Sequence, residues 1–281
     1  MKVMKLALPL LVALAYAPAQ GLAAPIFADD LASFAVLAAA GVTNVATSTI
    51  GGNLGSAPDP SVGGGYLFSF GSLQPNTALA QNAQLQLDAA ILDVNAFGPG
   101  LTLGADLTGT IFPGIYTVPA GVTNLSGALI LDGQGDSNAV WIFLFPSTLI
   151  TSEDSTVTVV NVDSGAGVGL YWSVGSAATL DGDTFAGNVL AHDLISSNGD
   201  LTIACGRLLS AETQVTLIHE KISIGCEGIG FGSGGFDQGG GSQVVPEPAT
   251  LLLFGFGLTG LFALGMRRNG VGHGSSPVLA G

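Results

Sequence analysis

Short apolar runs separated by turn residues make up the chain from residue 101 to residue 226. Most of these runs end at a glycine, asparagine or aspartate, which is typical of β-strands joined by tight turns. An apolar–threonine–apolar triplet recurs within them at intervals of roughly 20 residues, a spacing typical of repeat proteins. The period of two places each threonine outward and its neighbours inward. The triplets occupy residues 101–103, 178–180, 201–203 and 215–217.

Repeats made only of strands and turns predict a mainly β fold. The preferred architecture is a β-solenoid, in which each coil stacks on the one before it. A β-sandwich is the alternative, although it would need longer strands and clearer hairpin signals. Residues 26–56 also contain short apolar runs broken by glycine and threonine, which predict further strands.

One segment departs from this pattern. Residues 76–97 contain neither glycine nor proline and are rich in alanine, leucine and glutamine. Apolar residues recur there at spacings of three and four, for example at Ala83, Leu87 and Val94. This periodicity predicts one long amphipathic helix over residues 76–97, with one stripe buried.

The N-terminal end has the three parts of an export signal. Lys2 and Lys5 form a basic start, residues 6–17 form an apolar stretch, and small residues follow. This order is typical of a cleaved secretory signal peptide. We therefore expect a signal peptide over residues 1–23.

The C-terminal end carries a second apolar run, over residues 249–266, followed at once by two arginines. The run is near the minimum length for a transmembrane helix, and the arginines place its C-terminal end in the cytoplasm. Together with the residues before it, this segment resembles the PEP-CTERM sorting signal of Gram-negative bacteria. The motif consists of Pro246, Glu247, Pro248, Arg267 and Arg268.

The resemblance to this sorting signal implies a membrane-embedded exosortase as a processing partner. It also implies release or transfer to the cell surface, with only a transient membrane anchor through the C-terminal helix. The sequence then divides into five parts: a signal peptide (residues 1–23), a β-domain (24–226), a glycine-rich linker (227–245), a sorting segment (246–268) and a tail (269–281).

Charge is scarce and unevenly distributed. The 281 residues include 20 acidic and 6 basic ones, and only 9% are charged. Residues 24–245 keep 19 of the acidic residues, whereas Arg207 and Lys221 are their only cations. A nucleic-acid-binding function is excluded because it requires a basic surface against phosphate. An anionic exported domain stays soluble and repels anionic polymers.

Cys205 and Cys226 are the only cysteines. In an oxidising compartment an even pair is most simply explained by one disulfide, and two free buried thiols are the alternative. A metal site is not expected from two thiols and three scattered histidines. Neither a cofactor nor a catalytic motif is predicted. The short sequences Asp132–Asp136 and Asp181–Asp183 could bind calcium, but structural turns are the preferred interpretation.

Several segments resemble the ice-binding-protein family of bacteria, fungi and algae, and the match covers about residues 29–224. The resemblance implies a discontinuous right-handed β-solenoid of triangular section, with the long helix packed alongside. It also implies adsorption to ice rather than catalysis. The segments that carry it are LASFAVLAAAGVTN, IGGNLG, LILDGQGDSNAVWIFLFPSTLIT, GLYWSVGSAATLDGDTFAGNVLA and ACGRLLSAETQVTL.

Stacked coils would convert outward threonines into a regular surface of hydroxyls and methyls, which could hold an ordered layer of water. The candidate ice-contacting residues are Thr156, Thr158, Thr179, Thr184, Ser196, Thr202 and Thr216. Charged side chains on the same face would hold liquid-like water instead. The acidic residues that decide this point are Glu153, Asp154, Asp181, Asp183, Glu212 and Glu220.

The sequence is therefore consistent with two functions. The first is an exported protein that binds ice through a flat Thr/Ser-bearing β-face and inhibits ice growth or recrystallisation. The alternative is a cell-surface structural or adhesion protein of an exopolysaccharide matrix, built on the same scaffold. The location of the acidic residues relative to the threonines distinguishes the two.

Overall fold

The structure, a computed structural model, describes residues 26–226 and Phe236. It is built from nineteen strands and two helices, and all described residues belong to one compact unit of the chain. The helices are α1 (Asp29–Ala32) and α2 (Ala78–Ala96). The strands are β1 (Phe34–Ala38), β2 (Val42–Gly51), β3 (Asn53–Ser56), β4 (Val62–Phe70), β5 (Leu73–Pro75), β6 (Leu101–Thr102), β7 (Gly109–Ile111), β8 (Gly114–Thr117), β9 (Ala128–Asp132), β10 (Val140–Phe145), β11 (Leu149–Ile150), β12 (Thr156–Val160), β13 (Gly169–Val174), β14 (Ala178–Leu180), β15 (Thr184–Ala191), β16 (Ile195–Ser197), β17 (Thr202–Ser210), β18 (Val215–Ile218) and β19 (Lys221–Ser223).

Every strand pairing is parallel, and the pairings form three ladders, each of which is one face of the stack. We call them the helix face, the broad face and the narrow face. The helix face is β6–β8–β10–β13–β15–β17–β1–β3–β5. The broad face is β7–β9–β12–β15–β17–β19–β2–β4. The narrow face is β11–β14–β16–β18–β2–β4.

The order of coils in the stack differs from their order in the chain. Strand β1 lies between β17 and β3, and β2 pairs with both β18 and β19. The N-terminal strands therefore continue the stack beyond its last C-terminal coil. This arrangement confirms the expected stacking of mainly parallel β-coils with a discontinuous chain order.

Four strands bend between faces within their own length: β2 and β4 pass from the narrow face to the broad face, and β15 and β17 pass from the broad face to the helix face. At the bend of β15 and β17 the register of their pairing shifts between Phe185 and Gly187. Gly187 has φ of +94°, and a Cβ on Gly206 would lie 2.0 Å from the Gly187 carbonyl oxygen. The bend therefore requires glycine, because any side chain there would collide with the neighbouring coil.

Helix α2 covers the helix face. It begins one residue after Thr77, whose hydroxyl accepts a hydrogen bond from the Ala80 amide. Its buried stripe packs against apolar side chains of the strands beneath it, including Tyr171 and Leu190. The helix expected over 76–97 is therefore confirmed, slightly shortened at both ends. The stripe consists of Ala80, Ala83, Leu87, Ala90 and Val94.

The short helix α1 is a difference from the sequence-based expectation, which assigned only strands to residues 26–56. Leu31 of this helix is fully buried against α2, so tertiary contact rather than local periodicity accounts for it. Within the described residues no helix is long and apolar enough to cross a bilayer. The expected signal peptide, the sorting motif and the transmembrane helix over 249–266 lie outside the described residues.

Large aromatic side chains fill the interior of the stack. The rings of Phe143 and Trp172 lie on adjacent coils with centroids 4.4 Å apart and planes inclined by 15°. Phe185 continues the series at 5.0 Å from Trp172, and Tyr116 lies 5.5 Å from Phe143 on the other side. The rings of Phe143, Trp172, Phe185 and Trp141 belong to the core, and Tyr116 packs against it.

A disulfide joins Cys205 of β17 to Cys226, 21 residues later, which confirms the predicted pairing. We expect the Cys205→Ala/Cys226→Ala double variant to lose about 3 kcal/mol of unfolding free energy, because the unfolded chain is no longer cross-linked. Chemical denaturation of the oxidised wild type and the variant measures the difference. Equal midpoints would contradict a stabilising role for the bond.

Candidate functional site

Threonines occupy equivalent positions on consecutive coils of the broad face. Thr156 of β12 is in register with Thr184 of β15, and Thr184 is in register with Thr202 of β17. Their side chains face outward because the next residue of each strand is buried. Those inward neighbours are Val157, Phe185 and Ile203. Three hydroxyls and three methyls thus repeat at the spacing between strands.

A second column lies beside the first. Thr158, two residues after Thr156, is in register with Ile130 of β9, which pairs in turn with Thr110 of β7. Thr110 and Thr158 are exposed, and Ile130 is 38% exposed. The broad face therefore presents two parallel columns of small or β-branched side chains over these coils.

Lys221 interrupts the first column. It is exposed and is in register with Thr202 on one side and with Thr49 of β2 on the other. Leu67 of β4 follows Thr49 in register. The column therefore has an uncharged part that runs from β9 to β17, one cation, and a shorter uncharged part on the N-terminal strands.

The other predicted hydroxyl residues lie on the narrow face. Thr179, Ser196 and Thr216 are in register with one another. The Ser196 and Thr179 hydroxyls are 3.5 Å apart, and the Thr43 hydroxyl donates to that of Thr216 at 3.2 Å. The seven candidates thus form two surfaces rather than one, with four on the broad face and three on the narrow face.

Sequence reasoning missed three threonines of these surfaces, two of them on the N-terminal strand β2 and one on β7. Thr43 continues the narrow-face column, Thr49 continues the broad-face column, and Thr110 lies at the far end of the second broad-face column. The alternating sequence of β2 could have indicated outward threonines. It could not have indicated which coil they join, because that depends on the discontinuous stacking.

The acidic residues lie at corners rather than in the columns. Glu153, Asp154, Asp181 and Asp183 lie between strands of the narrow face and strands of the broad face. Glu212 lies in the turn between β17 and β18, where the chain passes from the helix face to the narrow face. An ice-binding face should be free of charged side chains. The broad face fulfils this requirement from Thr156 to Thr202, because no carboxylate interrupts the threonine register there.

One corner forms a polar concavity lined by Glu153, Asp181, Asp183, Asn198 and Asp200. The Asp181 carboxylate accepts a hydrogen bond from the Asn198 amide at 3.2 Å and another from the Gly182 amide at 2.9 Å. In the described part of the chain no group of three or more acidic, histidine or cysteine side chains is arranged to hold a metal ion. Asp181, Gly182 and Asp183 form the connection between β14 and β15.

The same corner contains a buried carboxyl group. Glu220 is 1% exposed, its amide donates to the Ser48 hydroxyl at 2.9 Å, and its carbonyl accepts from the Thr49 amide at 2.8 Å. Burial raises the pKa of Glu220 to about 7, and the charge of Asp200 adds to the increase. The folded protein therefore holds this proton at pH values where the unfolded chain has lost it.

We expect this proton to make stability depend on pH. Because the pKa is higher in the folded state, the stabilisation is complete below about pH 4 and declines as pH rises to about 7, by up to about 3 kcal/mol. Glu220→Gln, which stays neutral, should flatten the pH dependence of unfolding over that range. Parallel pH profiles for wild type and variant would argue against the buried acid.

Comparison with known proteins places these features in a family. The family model described as "Ice-binding-like" matches residues 36–223, and the model described as "PEP-CTERM protein-sorting motif" matches residues 244–268. An ice-binding protein of Nostoc sp. (strain HG1) is 32% identical over 234 residues, which cover 82% of each chain.

Solved structures agree with this assignment. The ice-binding protein of the Antarctic ascomycete Antarctomyces psychrotrophicus is 30% identical, with a TM-score of 0.60 over 69% of this chain and 96% of that one. An ice-binding protein from an Antarctic biological consortium is 28% identical, with a TM-score of 0.64 over 72% of this chain and 92% of that one. The parallel coils, the helix laid on one face and these matches together show that the chain belongs to the ice-binding-like family and carries a C-terminal PEP-CTERM sorting motif.

Proposed function

We propose that this protein is exported and adsorbs to ice through its broad face. The observation that carries the proposal is the register of Thr156, Thr184 and Thr202 on consecutive coils, with Thr158 beside them. The relatives described above are ice-binding proteins, which supports the same ligand.

The chemistry of the surface suits this ligand. Neighbouring parallel strands lie about 4.8 Å apart, so each coil repeats one hydroxyl and one methyl at a fixed spacing. The methyls order adjacent water and the hydroxyls hydrogen-bond to it, at little further entropic cost where that water already belongs to a crystal. Each contact is weak, and adsorption therefore requires many contacts on a rigid surface. The stacked aromatic core and helix α2 supply that rigidity.

The other two faces suit ice less well. The helix face is covered by α2. The narrow face has strands of two to four residues from β11 to β18, and Asp181 follows directly after β14 at its edge. The broad face combines two columns with an uncharged stretch, so it offers the larger area without charge.

We also propose the route by which the protein reaches ice. A signal peptide over residues 1–23 would start export through the inner membrane. The helix over 249–266 would anchor the chain until an exosortase processes the sorting segment, with the mature domain released or held at the cell surface. The match to the sorting motif over 244–268 supports this route.

Lys221 favours the alternative function, a structural or adhesion protein of the exopolysaccharide matrix. Its cation lies in the column that the threonines define and attracts anionic groups locally, although the domain as a whole is anionic. Ice shaping and thermal hysteresis of the exported chain, residues 24–245, decide between the two. Activity at micromolar protein is expected, and no ice shaping together with retention in isolated matrix would favour the alternative.

Lys221→Thr should increase thermal hysteresis. The substitution removes the cation and its liquid-like hydration, and joins Thr202 to Thr49 in one threonine column. Lys221→Arg is the matched control, because it keeps the charge and the bulk. Equal activity of all three proteins would show that ice does not contact this part of the broad face.

A further inference from the structure

Phe236, the one residue of the glycine-rich segment that the structure describes, is buried in the core. Phe236 is 0% exposed and packs within the apolar cluster inside the stack. Its sequence neighbours are glycine, serine, aspartate and glutamine, which would by themselves suggest a solvated linker.

The carbonyl of Phe236 is also bound by two donors. The Leu170 amide of β13 donates to it at 3.0 Å, and the Asn188 side-chain amide of β15 donates to it at 3.2 Å. These donors lie on adjacent coils, next to the bend at which β15 turns from the broad face to the helix face. The pairing of β13 with β15 begins at Tyr171, so the Phe236 carbonyl satisfies the Leu170 amide one residue before that ladder starts.

Asn188 is held in place for this contact. It is fully buried, and its oxygen accepts a hydrogen bond from the Arg207 guanidinium at 2.9 Å. With the oxygen occupied, its amide nitrogen is directed to the carbonyls of Leu170, at 3.0 Å, and of Phe236. Arg207 thus orients the donor that binds the segment.

The backbone of Phe236 has an uncommon conformation. Its φ is +57°, in the left-handed region that bulky residues rarely occupy. Such a conformation persists only where the surrounding contacts hold it. Burial of the ring and the two hydrogen bonds are those contacts.

We infer that Leu170, Asn188 and Arg207 form a capture site for the protein's own C-terminal segment, with Phe236 as its anchor. The nine residues 227–235 join this anchor to Cys226, which is fixed to β17 by the disulfide. The folded domain therefore extends to Phe236. The anchor lies before Pro246, so removal of the sorting segment leaves it with the domain.

This arrangement shortens the connection to the sorting motif. Only residues 237–245 separate the anchor from Pro246, and nine extended residues span about 30 Å. A linker that began at Cys226 would have twice the length.

The test uses the exported chain, residues 24–245, with Phe236→Ala and, as a matched control, Phe112→Ala, whose ring is 47% exposed. We expect Phe236→Ala to lower the thermal midpoint by roughly 6–20 °C and the control to change it little. Amide exchange measured by NMR should accelerate at Leu170 more than at Trp172 in the same strand, because only the Leu170 amide is bonded to Phe236.

Phe236→Leu keeps most of the apolar volume and covers the case in which the alanine variant does not fold. It should show the same selective acceleration at Leu170 with a smaller change in midpoint. The inference would be overturned if the Phe236 variants had the same thermal midpoint, and the same amide-exchange rate at Leu170, as Phe112→Ala. Acceleration that is uniform along β13 would also overturn it.

Discussion

Replacing Thr184 with tyrosine should reduce adsorption to ice to background. Thr184 is exposed and lies between Thr156 and Thr202 in the first threonine column of the broad face. A tyrosine ring would protrude from this surface and hold the neighbouring coils away from the crystal. Thermal hysteresis and ice shaping measure the loss. The unfolding free energy should change by no more than about 0.5 kcal/mol, as is usual for a surface position.

Thr102→Tyr is the matched control. Thr102 is also an exposed threonine on a strand, but it lies in β6 at one end of the helix face. This variant should keep full activity. If Thr184→Tyr were as active as Thr102→Tyr, ice would not contact the broad face and the proposed site would be wrong, even if the wild type binds ice.

Trp172→Ala should cause a large loss of stability. Trp172 is fully buried, stacks on Phe143, contacts the tilted ring of Phe185, and donates from its indole nitrogen to the Ala186 carbonyl at 2.9 Å. Its removal leaves a cavity between coils and an unbonded carbonyl. We expect a loss of about 3–5 kcal/mol of unfolding free energy. Denaturant unfolding followed by circular dichroism measures it.

Trp172→Phe separates the two contributions. The smaller ring keeps the stacking with Phe143 but lacks the donor to Ala186, so a loss of about 1–3 kcal/mol is expected. A loss as large as that of the alanine variant would mean that the hydrogen bond, rather than the packing, dominates at this position.

The local elements were predictable because their signals are local. The helix follows from apolar spacing between Ala83 and Val94, and the strands follow from alternation such as that of β12, where Val157 and Val159 are buried. Each of these depends on residues within a few positions of one another.

The grouping of the threonines was not predictable in the same way. Thr179 and Thr202 both occur in the middle of an apolar–threonine–apolar triplet, and both face outward. The structure nevertheless places Thr179 on the narrow face and Thr202 on the broad face. The triplet records only the direction of the side chain relative to its own strand. The face depends on how many residues each corner uses.

The sequence by itself determined which residues form the helix, which side chains point inward, and the chemistry of the exported surface, with its small hydroxyl residues and few cations. Only the tertiary structure decided which coils are neighbours, where Lys221 interrupts a column, and that Phe236 belongs to the core. The physical reason is that these features depend on contacts between residues far apart in the chain, such as Thr49 with Lys221 and Leu170 with Phe236. Local periodicity contains no information about such contacts.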